Sequence, residues 1–166
     1  MSFVIEPLER HHDRSAFACG SDALDNYIRR QASQDIRRRV ARVFVALPEG
    51  VKTVAGFYTL SAGSIERSSL PPDTAKHLPR YPVPVARIGR LAVDRRWAGQ
   101  RLGSALLADA LQRVILASSS LAVHAIIVDA KDEQAQRFYE RFGFTLLPDT
   151  GRCLFYPLPA AARNNA

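Results

Sequence analysis

Arg90-Leu91-Ala92-Val93-Asp94-Arg95-Arg96-Trp97-Ala98-Gly99-Gln100-Arg101-Leu102-Gly103-Ser104-Ala105-Leu106-Leu107 passes from an apolar strand through a basic, glycine-bearing turn into an amphipathic helix. The first amides of a helix have no partner within it, glycines let the backbone approach a ligand closely, and guanidinium groups add positive charge. All three features favour an oxyanion at one place. The stretch therefore reads as a phosphate cradle.

The composition around it is that of one soluble domain, with 166 residues, 47% apolar and 23% charged. Residues 1–158 are expected to form this domain, with a frayed tail over 159–166. No run approaches the roughly 18 apolar residues of a membrane helix, and Met1 to Pro7 lacks a signal-peptide layout, so a cytoplasmic location without membrane contact is expected. The net charge is +7, and all but Lys52, Lys76 and Lys131 of the 23 basic residues are arginine. A GC-rich genome accounts for much of that bias, but the positive sign points to a polyanionic ligand. Cys19 and Cys153 are too few and too far apart for a disulfide framework. His11-His12 beside Asp13 lies on irregular backbone, where neighbours rarely converge on one ion, so no metal is expected.

Leu24, Ile28, Ala32, Ile36 and Val40 recur every four residues, with Arg29, Arg30, Arg37, Arg38, Arg39 and Arg42 on the remaining faces. This pattern predicts two basic helices with a bend near Ser33-Gln34. Val43 to Leu47 and Thr53 to Ile65 read as strands, and five of the ten prolines stiffen the loop from Leu70 to Pro84 around a helical piece near Asp73 to Leu78. A strand over 85–93, a helix over 104–117 and a doubly covered strand over 123–128 follow. Asp132 is placed to cap a helix carrying Ala135, Phe138, Tyr139 and Phe142, stopped by Gly143. Strand pieces at 145–147 and 153–156 close the domain.

Strand, phosphate turn, helix, buried strand and Phe138-Tyr139-Glu140-Arg141-Phe142-Gly143-Phe144, in that order, resemble the GNAT superfamily of acyl-CoA-dependent N-acetyltransferases. The resemblance implies an α/β (α+β) GNAT fold with a mixed, mostly antiparallel central sheet flanked by helices. It also implies acetyl-CoA as acetyl donor, held by Leu91, Ala92 and Val93, by Arg96, by Gly99, Gln100, Arg101, Leu102, Gly103 and Ser104, and by Asp132 and Phe138. The family pattern (Gln/Arg)-x-x-Gly-x-(Gly/Ala) is met only at Gly103. Ala98 and Arg101 depart from it, and Asp132 stands where Asn is frequent. Arg101 restricts the backbone, so the turn is expected to present its amides without positive φ there.

Phe17-x-Cys19-Gly20, Leu24-Asp25-x-Tyr27-Ile28, Val54 to Ser61, Leu78 to Val85, Gly89 to Asp94 and Val128-Asp129-Ala130 together look like the acetyltransferase toxins of type II toxin–antitoxin systems. That resemblance implies aminoacyl-tRNA as substrate and a ribbon-helix-helix antitoxin as partner, with operator DNA bound only through the antitoxin complex. It also suggests a homodimer.

By resemblance Tyr139 protonates the departing coenzyme thiolate; by periodicity alone it belongs as readily to the core stripe. Strand residues 87–93 carry no carboxylate base, which suits the weakly basic amine of an aminoacyl ester. Arg29, Arg30, Arg37 and Arg38, with Arg80, Arg87 and Arg90, are candidates for RNA contact, against a solvated face or pairing with Asp22, Asp25 or Asp35. Two alternatives stand beside this reading: a GNAT enzyme for a small amine, polyamine or protein N-terminus, and a non-catalytic nucleic-acid-binding module.

Overall fold

The computed structural model describes residues 2–159; the remainder of the expected tail, 160–166, lies outside the described residues. Among the described residues seven strands form, β1 (Phe3–Pro7), β2 (Arg42–Pro48), β3 (Gly56–Ile65), β4 (Val83–Val93), β5 (Ala125–Asp129), β6 (Thr145–Leu146) and β7 (Cys153–Pro157). Their order in the sheet is β1-β2-β3-β4-β5-β7-β6. Neighbours β4 and β5 are joined through a helix, the crossover that a parallel pair requires, whereas β1 with β2, β2 with β3, β5 with β7 and β6 with β7 are antiparallel. The expected mixed sheet flanked by helices is what forms. The helices are α1 (Asp22–Asn26), α2 (Ala32–Arg37), α3 (Pro72–Ala75), α4 (Leu102–Ala117) and α5 (Glu133–Arg141). None is long and apolar enough to cross a membrane.

Contacts divide the chain into two compact units, the first running to Ser61 and including Ile88–Arg113, the second comprising Ala62–Arg87 and the chain from Val114 onward. In the first, β1 is an edge strand, with Phe3 opposite Pro48 and Pro7 opposite Phe44. It is absent from the expected elements, although the β-branched run Val4-Ile5 closed by Pro7 is a strand signal. Val43 to Leu47 of β2 are all buried, and Val43, Val45 and Leu47 join Phe17, Tyr27, Ile28, Ala32, Phe57 and Ala92 in the core. Each such large side chain contributes about 1.5–3 kcal/mol through burial.

The four-residue repeat receives a different solution from the expected bend near Ser33-Gln34. A π-helix over Tyr27–Gln31 separates α1 from α2, closed by the Ala32 amide donating to the Tyr27 carbonyl. A repeat of four drifts around a 3.6-residue helix, and one wider i→i+5 turn absorbs the drift so that Ile28 and Ala32 both stay buried. Val40, the last member of the repeat, lies beyond α2 and is exposed.

In the second unit, β5 pairs with β7, Ala125 opposite Pro157 and Asp129 opposite Cys153. Ala125 to Val128 are buried, as a strand covered on both faces should be. Leu70, Val83, Val85, Ile127, Leu147 and Phe155 form this unit's core. Asp132 caps α5 by accepting the Ala135 amide at 2.8 Å, and Gly143, at φ 95°, ends it. The helical piece of the proline-rich loop is shorter than expected, Pro72–Ala75.

Candidate active site

In the first unit the end of β4 meets the turn before α4. The Asp94 amide donates to the Ala55 carbonyl of the β3 side at 2.8 Å. Because strand groups alternate, Ala92 shares that direction, and the polar backbone of Leu91 and Val93 points to the opposite edge. Of the three residues expected to contact the coenzyme, Ala92 thus turns its polar backbone to the β3 side, and Leu91 and Val93 turn theirs away from it. Gly99, Gln100 and Arg101 are exposed, and a side-chain carbon at Gly99 would meet nothing within 4 Å. The turn is an open rim leading to the first amides of α4.

Arg101 departs from its expected conformation. Its φ is 61° and that of Gly99 is 79°, so the left-handed backbone that the family pattern assigns to glycine is adopted here by an arginine. The Arg101 carbonyl accepts the Ala105 amide at 3.1 Å, the first bond of α4, so this left-handed residue stands directly at the helix start.

Asp94, buried and missed in the sequence reading, fixes the turn. It accepts the Ala18 amide at 3.1 Å, the Arg96 amide at 2.8 Å and both prongs of the Arg96 guanidinium. Burial alone would raise its carboxyl, but the hydrogen bonds from Arg96 and Ala18 outweigh burial and hold it below the usual 3.8. Arg96, expected to hold coenzyme, is thus committed to Asp94 and lies over the Trp97 ring at 4.6 Å. The Asp-x-Arg spacing at 94 and 96 was the available signal; the partner Ala18, 76 positions away, left none.

The arginines expected to meet substrate divide in two. Arg29 donates to the Phe17 carbonyl, Arg90 lies 3.6 Å over the Tyr27 ring, and Arg87 pairs with Asp129 at 2.6 Å. The guanidinium groups of Arg30, Arg37, Arg38 and Arg80 are exposed and have no partner among the described residues. Two of the three acidic partners named from sequence are engaged elsewhere, Asp25 by the Cys19 amide and Asp35 by the Tyr27 hydroxyl at 2.9 Å, and Asp22 pairs with none of these arginines.

Tyr139 sits in the second unit, on α5, with its ring against Phe138 and Phe144 at centroid distances of 5.2 and 5.6 Å. The residue is only 6% exposed. Burial pushes its phenol up to about 12, so it carries its proton at neutral pH. The other buried tyrosines commit their hydroxyls, Tyr27 to Asp35 and Tyr58 to Asp109. The Tyr139 hydroxyl has no such partner among the described residues, yet it is not an orphaned buried atom, a status held there by His124 Nε2 alone. The ring is therefore core, and the hydroxyl is unpaired among the described residues without being wholly sealed from solvent. One side chain thus combines a fixed apolar body with a free proton donor.

Asp132 and Phe138 share a shallow cavity of about 300 Å³ with Lys131 and Arg141, two cations absent from the expected set. Glu6, His11 and His12 converge, against expectation, with ligand atoms within 4.8 Å of one another. His12 Nδ1 accepts the Glu9 amide at 2.9 Å, which places the ring proton on Nε2, 2.8 Å from Glu6. The Nε2 lone pair that a metal would need is thus occupied by hydrogen. Burial, then Asp129, pushes the Cys153 thiol up to about 11, as an inert core thiol requires.

A family model described as an acetyltransferase (GNAT) domain matches residues 39–146. The chain belongs to the GNAT acetyltransferase family. This GNAT chain is 38% identical over 136 residues, 82% of its length and 80% of the relative's, to a protein of Mycobacterium tuberculosis (strain ATCC 25618 / H37Rv) named tRNA-acetylating toxin. Its GNAT fold matches AtaT complexed with acetyl-methionyl-tRNAfMet with a TM-score of 0.88 at 31% identity, covering 94% of this chain and 95% of that one. It also matches a tyrosine-to-phenylalanine mutant of AtaT bound to the C-terminus of the antitoxin AtaR and acetyl-CoA, with a TM-score of 0.80 at 29% identity, covering 95% and 94%. As a GNAT enzyme the protein is an acetyl-CoA-dependent acetyltransferase.

Proposed function

We propose that this protein is a toxin that transfers the acetyl group of acetyl-CoA to the α-amine of the amino acid on charged tRNA. Acetylation removes that amine from peptide-bond formation and so blocks translation. The similarity to the tRNA-acetylating toxin and to AtaT supports the substrate. The observation that carries the chemistry is Tyr139, a proton-bearing phenol whose ring is packed in the core and whose hydroxyl has no partner among the described residues.

Acetyl-CoA supplies a thioester whose carbonyl carbon the neutral amine attacks. A C–N bond forms and the C–S bond breaks. Tyr139 gives its phenolic proton to the departing thiolate and regains one from solvent, which also takes the proton lost by the amine. The backbone of Leu91 and Val93 and the amides over 99–104 orient the coenzyme, with Lys131 and Arg141 beside Asp132 and Phe138 adding charge for its phosphates. Arg30, Arg37, Arg38 and Arg80 contact RNA phosphates, whereas Arg29, Arg87 and Arg90 shape the surface that carries them. Residues 1–158 act as one domain in the cytoplasm, without a metal, as a homodimer. A ribbon-helix-helix antitoxin neutralises the toxin and brings it to operator DNA.

The test is acetyl transfer from labelled acetyl-CoA to a competing mixture of charged tRNA, deacylated tRNA and free amines. Label on charged tRNA alone is the expected result. Label on free amines with charged tRNA unmodified would return the protein to the small-amine class.

A further inference from the structure

Segment 66–81 of the second unit borders an open cavity of about 580 Å³ whose walls carry Arg67, Lys76 and Arg80 against the single carboxylate of Glu66. Its floor includes the buried side chain of Leu70 and the partly buried Ala75. The charge on these walls is poorly compensated. Arg67 spends its Nε on the Ala75 carbonyl at 2.6 Å, which fixes the guanidinium without neutralising it. Lys76 faces only the fully solvated Asp73 at 3.9 Å, and Arg80 has no partner among the described residues. Next to Arg80 stands Tyr81, the most exposed aromatic side chain among the described residues at 68%. Prolines at 71, 72, 79 and 82 hold this segment in shape without a long element to support it.

Fixed cations above an apolar floor, with an unburied aromatic ring beside them, are what an unpaired RNA strand uses: phosphates take the charge and a base takes the π-face. We propose that this cavity binds an unpaired segment of the substrate RNA, Lys76, Arg80 and Arg67 holding its phosphates and Tyr81 stacking one of its bases. The proposal rests on charged tRNA being the substrate. It extends the RNA contact of Arg80 to Arg67, Lys76 and Tyr81, and gives that contact a site of its own beside the arginines of the helical region.

The experiment compares full-length wild type, Lys76→Gln/Arg80→Gln and Tyr81→Ala, all exposed positions whose replacement leaves the core intact. The KM for charged tRNA is measured across a salt titration, and the KM for acetyl-CoA serves as internal control. The charge variant should raise the tRNA KM about tenfold and flatten its log–log salt dependence by about 0.7 for each single-strand phosphate no longer neutralised. Tyr81→Ala should raise it by about tenfold, the size of one base stack, with the salt slope of wild type. Unaltered tRNA KM and slope in both variants would overturn the proposal while acetylation of charged tRNA by wild type still stood. A weakened hold on the antitoxin alone would overturn it too, assigning the cavity to an acidic peptide. Absence of charged-tRNA acetylation by wild type is the separate failure of the substrate reading.

Discussion

The carboxylate of Asp94 and the guanidinium of Arg96 meet as a two-pronged pair, Nε to Oδ1 at 3.0 Å and Nη2 to Oδ2 at 2.9 Å. The same two oxygens accept the amides of Arg96 and Ala18, so one buried side chain fixes both the loop before α1 and the turn that opens α4. Asp94→Ala strands two part-buried amides and a guanidinium at once and should cost about 2–3 kcal/mol in denaturant unfolding. Weaker acetyl-CoA binding, by about tenfold or more, should accompany it in calorimetry, because the turn amides lose their alignment.

The Asp94 carboxyl is held below 3.8 in the folded protein. Its contribution to stability is therefore complete at pH values above that ordinary value and disappears as the pH falls through the lowered folded value. Unfolding measured from pH 7 down to the acid limb should show wild type and Asp94→Ala converging below about pH 4. A constant gap across that window would show that the carboxylate's charge plays no part.

Arg101, at φ 61°, occupies a backbone region that costs a side-chain-bearing residue about 1–2 kcal/mol. Arg101→Gly relieves that cost but adds freedom to the unfolded chain worth about 0.5–1 kcal/mol, so its stability should equal or slightly exceed that of wild type. Arg101→Val should lose stability, since a β-branched residue tolerates this region least. A large loss in Arg101→Gly, read from denaturant midpoints, would contradict the left-handed turn.

Gly56 lies where β3, the end of β4 and α4 meet in the first unit. An added side-chain carbon there would come 2.9 Å from Leu106 Cδ1 and 3.1 Å from the Ala92 carbonyl oxygen. Backbone at that distance cannot step aside cheaply. Gly56→Ala should lower stability by about 1–3 kcal/mol and weaken acetyl-CoA binding by displacing the strand end that leads into the turn. A thermal melt and a binding isotherm on the same preparation check both effects.

The inner strands, the strand–turn–helix over 90–107 and the last helix were legible because each is written locally: an apolar run of strand length, glycines at a helix start, an N-cap with a periodic stripe behind it. What escaped depends on partners distant in sequence. Asp94 answers an amide 76 positions earlier, and Arg29 a carbonyl 12 positions away. Arg90 answers a ring brought near only by folding. A run of basic residues shows charge but not which guanidinium groups are already engaged. The π-helix escaped for another reason: a spacing of four fits a bent pair of helices as well as one widened turn, and only burial of both Ile28 and Ala32 decides between them. Arg101 marks the limit of reading conformation from residue type, since it adopts a left-handed backbone that its side chain disfavours.

Tyr139 carries the central claim, and removing one oxygen atom tests it. Tyr139→Phe keeps the ring against Phe138 and Phe144 and takes away only the proton donor. Single-turnover acetylation of charged tRNA, measured beside acetyl-CoA binding, should show affinity for the donor within about twofold of wild type and a transfer rate lower by about 10²–10⁴. Transfer at the wild-type rate by that variant would contradict the mechanism outright.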